Sequence, residues 1–184
     1  LLDLDGDQAP DLDASRVHVL AVSLGTYVAS QFLGVDDSIV SATMSHPGGS
    51  ASDSLFTSSE AKVFGVPLQQ GLAGNGIVPG TLNYDQWVRD YQTVMDAGDP
   101  LSYAAAAAAG TPINAHLVFF DQAVINSATN NWSRAAGLVA AGAPGTADPT
   151  GVRALVSFDQ GGHASILDPS AEVRDVDSGD VLSA

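Results

Sequence analysis

The stretch Val17-His18-Val19-Leu20-Ala21-Val22-Ser23-Leu24-Gly25-Thr26 decides how this chain is read. An apolar, partly β-branched run reaches a serine, then a small residue, then an apolar helix-compatible segment that ends near Leu33. That is the pattern of a strand that turns sharply into a helix and lifts a serine hydroxyl above the sheet. The residues two before and two after such a serine must be small, and Ala21 and Gly25 meet that need. The usual form is G-x-S-x-G; here the first glycine is an alanine. An ordinary strand, turn and helix is the alternative reading of the same segment.

A serine hydroxyl is a weak nucleophile until a base removes its proton, and the base needs an orienting carboxylate. On this kind of scaffold the chain order is serine, acid, histidine. His163 stands in Gln160-Gly161-Gly162-His163-Ala164-Ser165, a glycine loop directly after the strand-like run Val152 to Phe158. Asp121 follows a second apolar run, Ala115-His116-Leu117-Val118-Phe119-Phe120. Ser23, Asp121 and His163 thus fall in the expected order at three strand ends, the side on which open α/β sheets place ligands. A loop histidine and a turn aspartate without chemistry are the alternatives. The other histidines compete less well. His18 lies inside the first strand, and His116 begins another and points to the wrong end. His46, in Ser45-His46-Pro47-Gly48-Gly49, follows an apolar run and is a candidate for lining the cleft, but it precedes Asp121 and breaks the order.

The chain resembles the secreted bacterial lipases of the α/β-hydrolase superfamily, especially the extracellular and surface lipases of marine Gram-negative bacteria. The resemblance is carried by Ser15 through Gly25, Ser45-His46-Pro47-Gly48-Gly49, Tyr91 through Pro100, Asp121-Gln122-Ala123-Val124-Ile125-Asn126 and Gly161 through Pro169, in that order. It implies Ser23 as nucleophile, Asp121 as acid, His163 as base, and the Leu24 backbone N–H as an oxyanion donor. It implies secretion or display on a bacterial surface. Such lipases usually read Gly-His-Ser-Leu-Gly-Gly at the turn. Here Ala21, Val22 and Thr26 replace the first glycine, the histidine and the last glycine, and Phe120 stands where relatives often have glycine.

Only sixteen residues precede Val17, and they do not read as strands. The resemblance implies earlier strands and a loop bearing a second oxyanion donor. The expectation is therefore a carboxy-terminal portion of a larger hydrolase. Otherwise a second copy covers the open edge beside the serine strand, because an uncovered edge invites aggregation. A chain of 184 residues is long enough to bury a core of its own.

Twenty-one acidic residues against six basic ones give a formal charge of −15. That field opposes DNA, RNA and anionic membranes, and no basic patch offsets it. Cysteine is absent, so neither disulfides nor thiol chemistry operate. No signal-peptide pattern and no apolar run long enough to span a bilayer is visible. The opening Asp3-Leu4-Asp5-Gly6-Asp7-Gln8-Ala9-Pro10-Asp11-Leu12-Asp13 places aspartates at alternating positions around a glycine. Asp3, Asp5, Asp7, Asp11 and Asp13 are candidate ligands for a structural Ca²⁺. The EF-hand pattern is incomplete, since Gln8 and Ala14 occupy the positions that ask for glycine and glutamate. A solvated acidic loop is the plainer reading. Catalysis itself would need no cofactor.

The coarse order places strands at 17–22, 38–44, 115–120 and 152–158, with helices at 24–33 and within 131–142. The order implies an α/β fold, a mostly parallel sheet with helical layers on both faces; the resemblance implies that it is of the α/β-hydrolase kind, lacking its first strands. The whole of 1–184 is read as one partial domain, with 50–111 a mostly helical, cap-like insertion. Within it, 50–59 reads as a loop and 61–73 as a broken helix, because Gly65, Pro67 and Gly71 interrupt it. Tyr84, Trp87, Val88, Tyr91, Val94 and Met95 recur at helical spacing. Ala104 to Ala109 is a strong helix former stopped by Gly110-Thr111-Pro112. Residues 142–149 read as a loop, and the chain end as a tail with some helix.

Two functions remain open. One is a serine carboxylic-ester hydrolase, a triacylglycerol lipase or carboxylesterase, that works on neutral lipids or acyl esters through an acyl-enzyme. Val22, His46, Trp87 and Tyr91 would then contact substrate, and Leu55, Phe56, Val63 and Phe64 would add apolar surface. The acidic surface would disfavour anionic lipids. The other is a non-catalytic binding or structural module on the same scaffold.

Overall fold

Strands β1 (His18–Val22), β2 (Ser41–Ser45), β3 (Ile113–Val118), β4 (Val139–Ala140) and β5 (Arg153–Phe158) are all parallel and lie in the order β1-β2-β3-β5-β4. These come from a computed structural model, which describes residues 3–8, 10–13, 15–58, 62–140, 153–158 and 161–167. Parallel strands need crossovers, and those from β1 to β2, β2 to β3 and β3 to β4 contain helices. Helix α1 (Leu24–Val35) joins β1 to β2. Helices α2 (Ala51–Thr57), α3 (Lys62–Gly74), α4 (Leu82–Met95) and α5 (Pro100–Gly110) form the insertion between β2 and β3. Helix α6 (Asn126–Ala135) leads from β3 towards β4 and β5. A mostly parallel five-stranded sheet flanked by helices is what the alternation of strands and helices predicts, and it is consistent with the reduced hydrolase-like core that the resemblance implies.

The core lies on one face of the sheet. Val19, Ala21, Ala42, Met44, Ile113, Ala115 and Leu155 meet Ala29 and Leu33 of α1, Ala104, Ala107 and Ala108 of α5, and Trp132 of α6. The alanine run is what lets α5 approach α1 closely, with Tyr103 packed over Gly34. Trp132 is fully enclosed and its indole N–H donates to Ser30 Oγ at 3.0 Å. The period-two alternation of a strand sends His18, Leu20 and Val22 to the other face, where Leu20 is 61% exposed. Among the described residues β1 is an edge strand.

Several boundaries differ from the sequence expectation. Residues 50–59 do not form a loop, because Ala51–Thr57 is helical. The buried Asp99 carboxylate accepts from Ser50 N (3.0 Å) and Ala51 N (2.6 Å), and Gln92 Oε1 accepts from Ser52 N (2.9 Å). Partners 40 or more residues away thus cap a helix too short to hold itself. Segment 61–73 is not broken, since α3 runs through Pro67. Gly65 is required there, because an added Cβ would stand 2.1 Å from Leu55 O. Strand β2 begins at Ser41 rather than 38, since Asp36 Oδ1 ties up Ser38 N at 2.8 Å in a turn. Strand β3 is displaced two residues towards the amino end and stops at Val118; Phe120 turns out with φ +64° and is 74% exposed. Helix α6 starts at Asn126 rather than 131 and ends before Gly137, whose φ of +67° cannot continue it. The expected loop at 142–149 and the tail beyond 167 lie outside the described residues.

Candidate active site

The local conformation at Ser23 is the first element of the site. Its φ of +55° and ψ of −125° are strained for a residue with a Cβ, and its N–H donates to Ser45 O at 3.0 Å. Thr26, fully buried, stitches the turn shut: its N–H (2.8 Å) and its Oγ1 (2.6 Å) both donate to Ser23 O, and Oγ1 also reaches His46 O at 3.5 Å. The Thr26 hydroxyl therefore joins the serine turn to the end of β2. The sequence marked Thr26 only as a replacement for glycine. Leu24 opens α1, so its N–H belongs to the first-turn amides that lack an acceptor within the helix. One expectation is corrected here. An added Cβ on Gly25 would meet nothing within 4 Å among the described residues beyond its chain neighbours and its own helix backbone, so packing against the rest of the fold does not require a glycine at that position.

Asp121 lies beyond the β3 end, after the Phe119-Phe120 turn. Asn126 clamps that turn. Its Oδ1 accepts from Phe120 N at 2.9 Å and its Nδ2 donates to Val118 O at 2.6 Å. Asn126 lies in a segment that carries the resemblance, but nothing in the sequence reveals this task. Asp121 Oδ1 accepts from Ala123 N (2.9 Å) and Val124 N (3.2 Å). Its Oδ2 accepts from His163 Nδ1 at 2.8 Å. His46 Nδ1 lies 2.9 Å from the same oxygen but off the hydrogen-bond axis, so it has no well-aligned partner. The Asp121 side chain is fully enclosed. Burial alone would raise its pKa, yet the hydrogen bond from His163 and the close imidazoles of His163 and His46 outweigh that and hold it well below the usual carboxylate range.

His163 is half-buried in a turn in which Gly162 N donates to Ser165 Oγ and Ser165 N donates to Gly162 O at 3.0 Å. Gly161 needs its glycine, having φ +117° and Ser165 Oγ only 2.6 Å from where a Cβ would be. The His163 and His46 rings are 4.9 Å apart, tilted by 37°. Ser23 Oγ makes no hydrogen bond to His163, whose Nδ1 is bonded to Asp121. Catalytic hydrogen bonds are often loose without substrate and tighten when it binds.

Residues far apart in the sequence are therefore brought together at the carboxyl ends of β2 and β3 and in the loop after β5. His46 is 1% exposed and stands against the carboxylate. Val22 is half-buried beside Ser23. Trp87 and Tyr91 stack at 5.3 Å on α4, with Phe56 of α2 edge-on to Trp87 at 6.0 Å. The side chains of Val63 and Phe64 lie outside the described set. His18 is exposed and pairs with Ser41 Oγ at 2.8 Å. His116 contacts Asn114 and Phe158, and burial, then the charge of His46, lowers its pKa. A cavity of about 190 Å³ lies behind the histidines, lined by Ser45, His46, His116, Val118, Phe158, Ser165 and Ile166; Ser23 is not among its walls.

Two groups have the donors to hold an ion. The ligand atoms of His46, Asp121 and His163 lie within 4.8 Å of one another, a set whose chemistry suits a transition metal. Asp3, Asp5 and Asp11 form an all-oxygen set in the acidic opening, which suits Ca²⁺. Asp7 and Asp13 do not join it; Asp13 faces Arg16 Nε at 2.7 Å.

The fold is similar to that of Pyrococcus horikoshii acylaminoacyl peptidase. The uncomplexed structure matches with TM-score 0.53 and 16% identity over 85% of this chain. The orthorhombic crystal form matches with TM-score 0.52 and 15% identity over 84%. The chain spans 21% of the length of that protein. No protein-family model and no curated protein matches the chain. Among the described residues, no helix is long and apolar enough to cross a membrane.

Proposed function

We propose that the protein is a serine carboxylic-ester hydrolase that acts on neutral acyl esters or lipids through an acyl-enzyme, with Ser23 as nucleophile, His163 as base and Asp121 as acid. The observation that carries this reading is the 2.8 Å bond from His163 Nδ1 to the enclosed Asp121 carboxylate, formed in a chain that also holds Ser23 in a strained strand-to-helix turn. With Nδ1–H committed to Asp121, the free Nε2 takes the Ser23 proton as Oγ attacks the ester carbonyl. Asp121 stabilises the imidazolium that results. The Leu24 N–H, at the positive end of α1, binds the developing oxyanion. His163 then gives its proton to the departing alcohol, and water releases the acid by the same steps.

The insertion 50–111 serves in this proposal as a cap. The Phe56-Trp87-Tyr91 cluster and Val22 supply apolar contact to the acyl group, and the acidic surface steers the enzyme away from anionic lipids. Secretion or display on a bacterial surface goes with the lipase resemblance. Fluorophosphonate labelling with peptide mapping tests the chemistry. Label on Ser23, and ester turnover lost in Ser23→Ala, support the proposal. A folded protein that stays unlabelled beside a reactive control lipase overturns it. The absence of a Ser23–His163 hydrogen bond favours a second reading, a non-catalytic binding module, and an unlabelled Ser23 would select it. Relative rates on tributyrin, triolein and phosphatidylglycerol at one ionic strength test the substrate class; fastest hydrolysis of phosphatidylglycerol defeats the charge argument.

A further inference from the structure

We propose that His46 is a positioning residue for the Ser23 reaction: its Nδ1–H supplies a second ring donor to Asp121, locking the carboxylate on the axis of His163. The proposal rests on the triad reading above. Asp121 Oδ1 is held by two backbone N–H groups, which leaves Oδ2 to the two imidazoles at 2.8 and 2.9 Å. Oδ2 can accept both, because a carboxylate oxygen carries two lone pairs. The proposed bond forms when the His46 ring turns its N–H towards Oδ2, which already lies 2.9 Å away. As a proton reaches His163, charge builds on that ring, and the carboxylate must stay on its N–H axis to stabilise it. A donor on the far side of Oδ2 resists twisting about the Cβ–Cγ bond.

The backbone around His46 is arranged to deliver this ring. His46 has φ +56°, a conformation rarely adopted by a residue with a Cβ, immediately after β2. Its N–H donates to His116 O at 3.0 Å and its carbonyl faces Thr26 Oγ1 at 3.5 Å. Beyond it, Gly48 lies under Tyr27, where an added Cβ would be 2.7 Å from the phenol oxygen. The segment is pinned on both sides, and the side chain is enclosed apart from 2% of its surface. His46 therefore acts through Asp121 and not by touching substrate. Asp121 Oδ2, at 2.9 Å, is the acceptor beside Nδ1, which has no aligned hydrogen-bond partner among the described residues; a buried polar atom is not left so without cause.

The test uses the full chain with His46→Phe, which fills the space without a donor, and His46→Gln, which can donate. Turnover of p-nitrophenyl butyrate is measured beside the low-field proton spectrum. His46→Phe should lower kcat by about tenfold to a hundredfold, as expected for loss of a hydrogen bond to a charged acceptor, with KM little changed. His46→Gln should recover most of that loss. The parent should show two low-field ring N–H resonances, with one missing in His46→Phe. A purely structural role would lower the melting temperature and leave kcat intact. Parent-like kcat in folded His46→Phe, or a parent spectrum with a single resonance that persists in His46→Gln, overturns the proposal. If Ser23→Ala hydrolyses ester as fast as the parent, the triad reading fails instead, and the resonances still report the His46–Asp121 contact.

Discussion

Replacing Asp121 with asparagine keeps the shape of the side chain and inverts the hydrogen bonding on one side of it. Oδ1 accepts from Ala123 N and Val124 N at 2.9 and 3.2 Å, so the amide carbonyl must take that position or two buried N–H groups lose their acceptor. The NH₂ group then faces His163 Nδ1 at the 2.8 Å now spanned by a ring N–H and a carboxylate oxygen. Two donors cannot share that contact. His163 changes tautomer, accepts at Nδ1 and carries its proton on Nε2, where it can no longer take one from Ser23. The same inversion in a serine–histidine–aspartate triad costs about 10⁴ in kcat, equivalent to about 5 kcal/mol of barrier. Because the amide fits the space, folding should survive, which circular dichroism checks. The assay is p-nitrophenyl butyrate hydrolysis together with the rate of fluorophosphonate labelling at Ser23. A folded Asp121→Asn variant that keeps kcat within tenfold of the parent would refute the assignment of Asp121 as the acid.

Asp99 should prove the main structural carboxylate. It accepts from Ser50 N, Ala51 N, Leu101 N and Gln92 Nε2, and Asp99→Ala takes the acceptor from the three backbone donors while Gln92 Nε2 keeps Asp96, for a loss of about 4 kcal/mol in chemical denaturation. Stability should also fall at acid pH through Asp121. Its folded-state pKa is depressed, so its contribution is complete above the unfolded-state value near pH 4 and disappears as pH falls towards the folded-state one; Asp121→Asn should flatten that part of a melting-temperature profile. Millimolar Ca²⁺ at fixed ionic strength should raise the melting temperature through Asp3, Asp5 and Asp11, and Asp5→Asn should reduce the effect; equal values in Ca²⁺ and chelator remove the site. Gly49→Ala should destabilise the chain by about 1–3 kcal/mol, because the new methyl would stand 2.8 Å from Leu101 Cβ and 3.2 Å from its backbone nitrogen.

The sequence by itself determined the alternation of β1, β2, β3 and β5 with helical segments and singled out Ser23, Asp121 and His163 as candidates. These are local matters: an apolar run, a small residue where a chain must bend, a polar residue at the end of a run. Helix α4 was legible from the spacing of Tyr84, Trp87 and Tyr91, and α5 from its alanines, whereas its Asp99 cap and Pro100 start came from the structure. Only the tertiary structure decided what depends on distant partners. Helix α2 exists because Asp99 and Gln92 cap it from across the insertion, and no local propensity records that. The Asp121 loop is set by Asn126, and the serine turn by a threonine that stands where a glycine is usual. The place of His46 was hidden for the same reason. Spacing along the chain put it before the acid and out of order, whereas the parallel pairing of β2 with β3 sets the ends of those two strands side by side, and its left-handed backbone turns the imidazole onto the carboxylate that His163 shares.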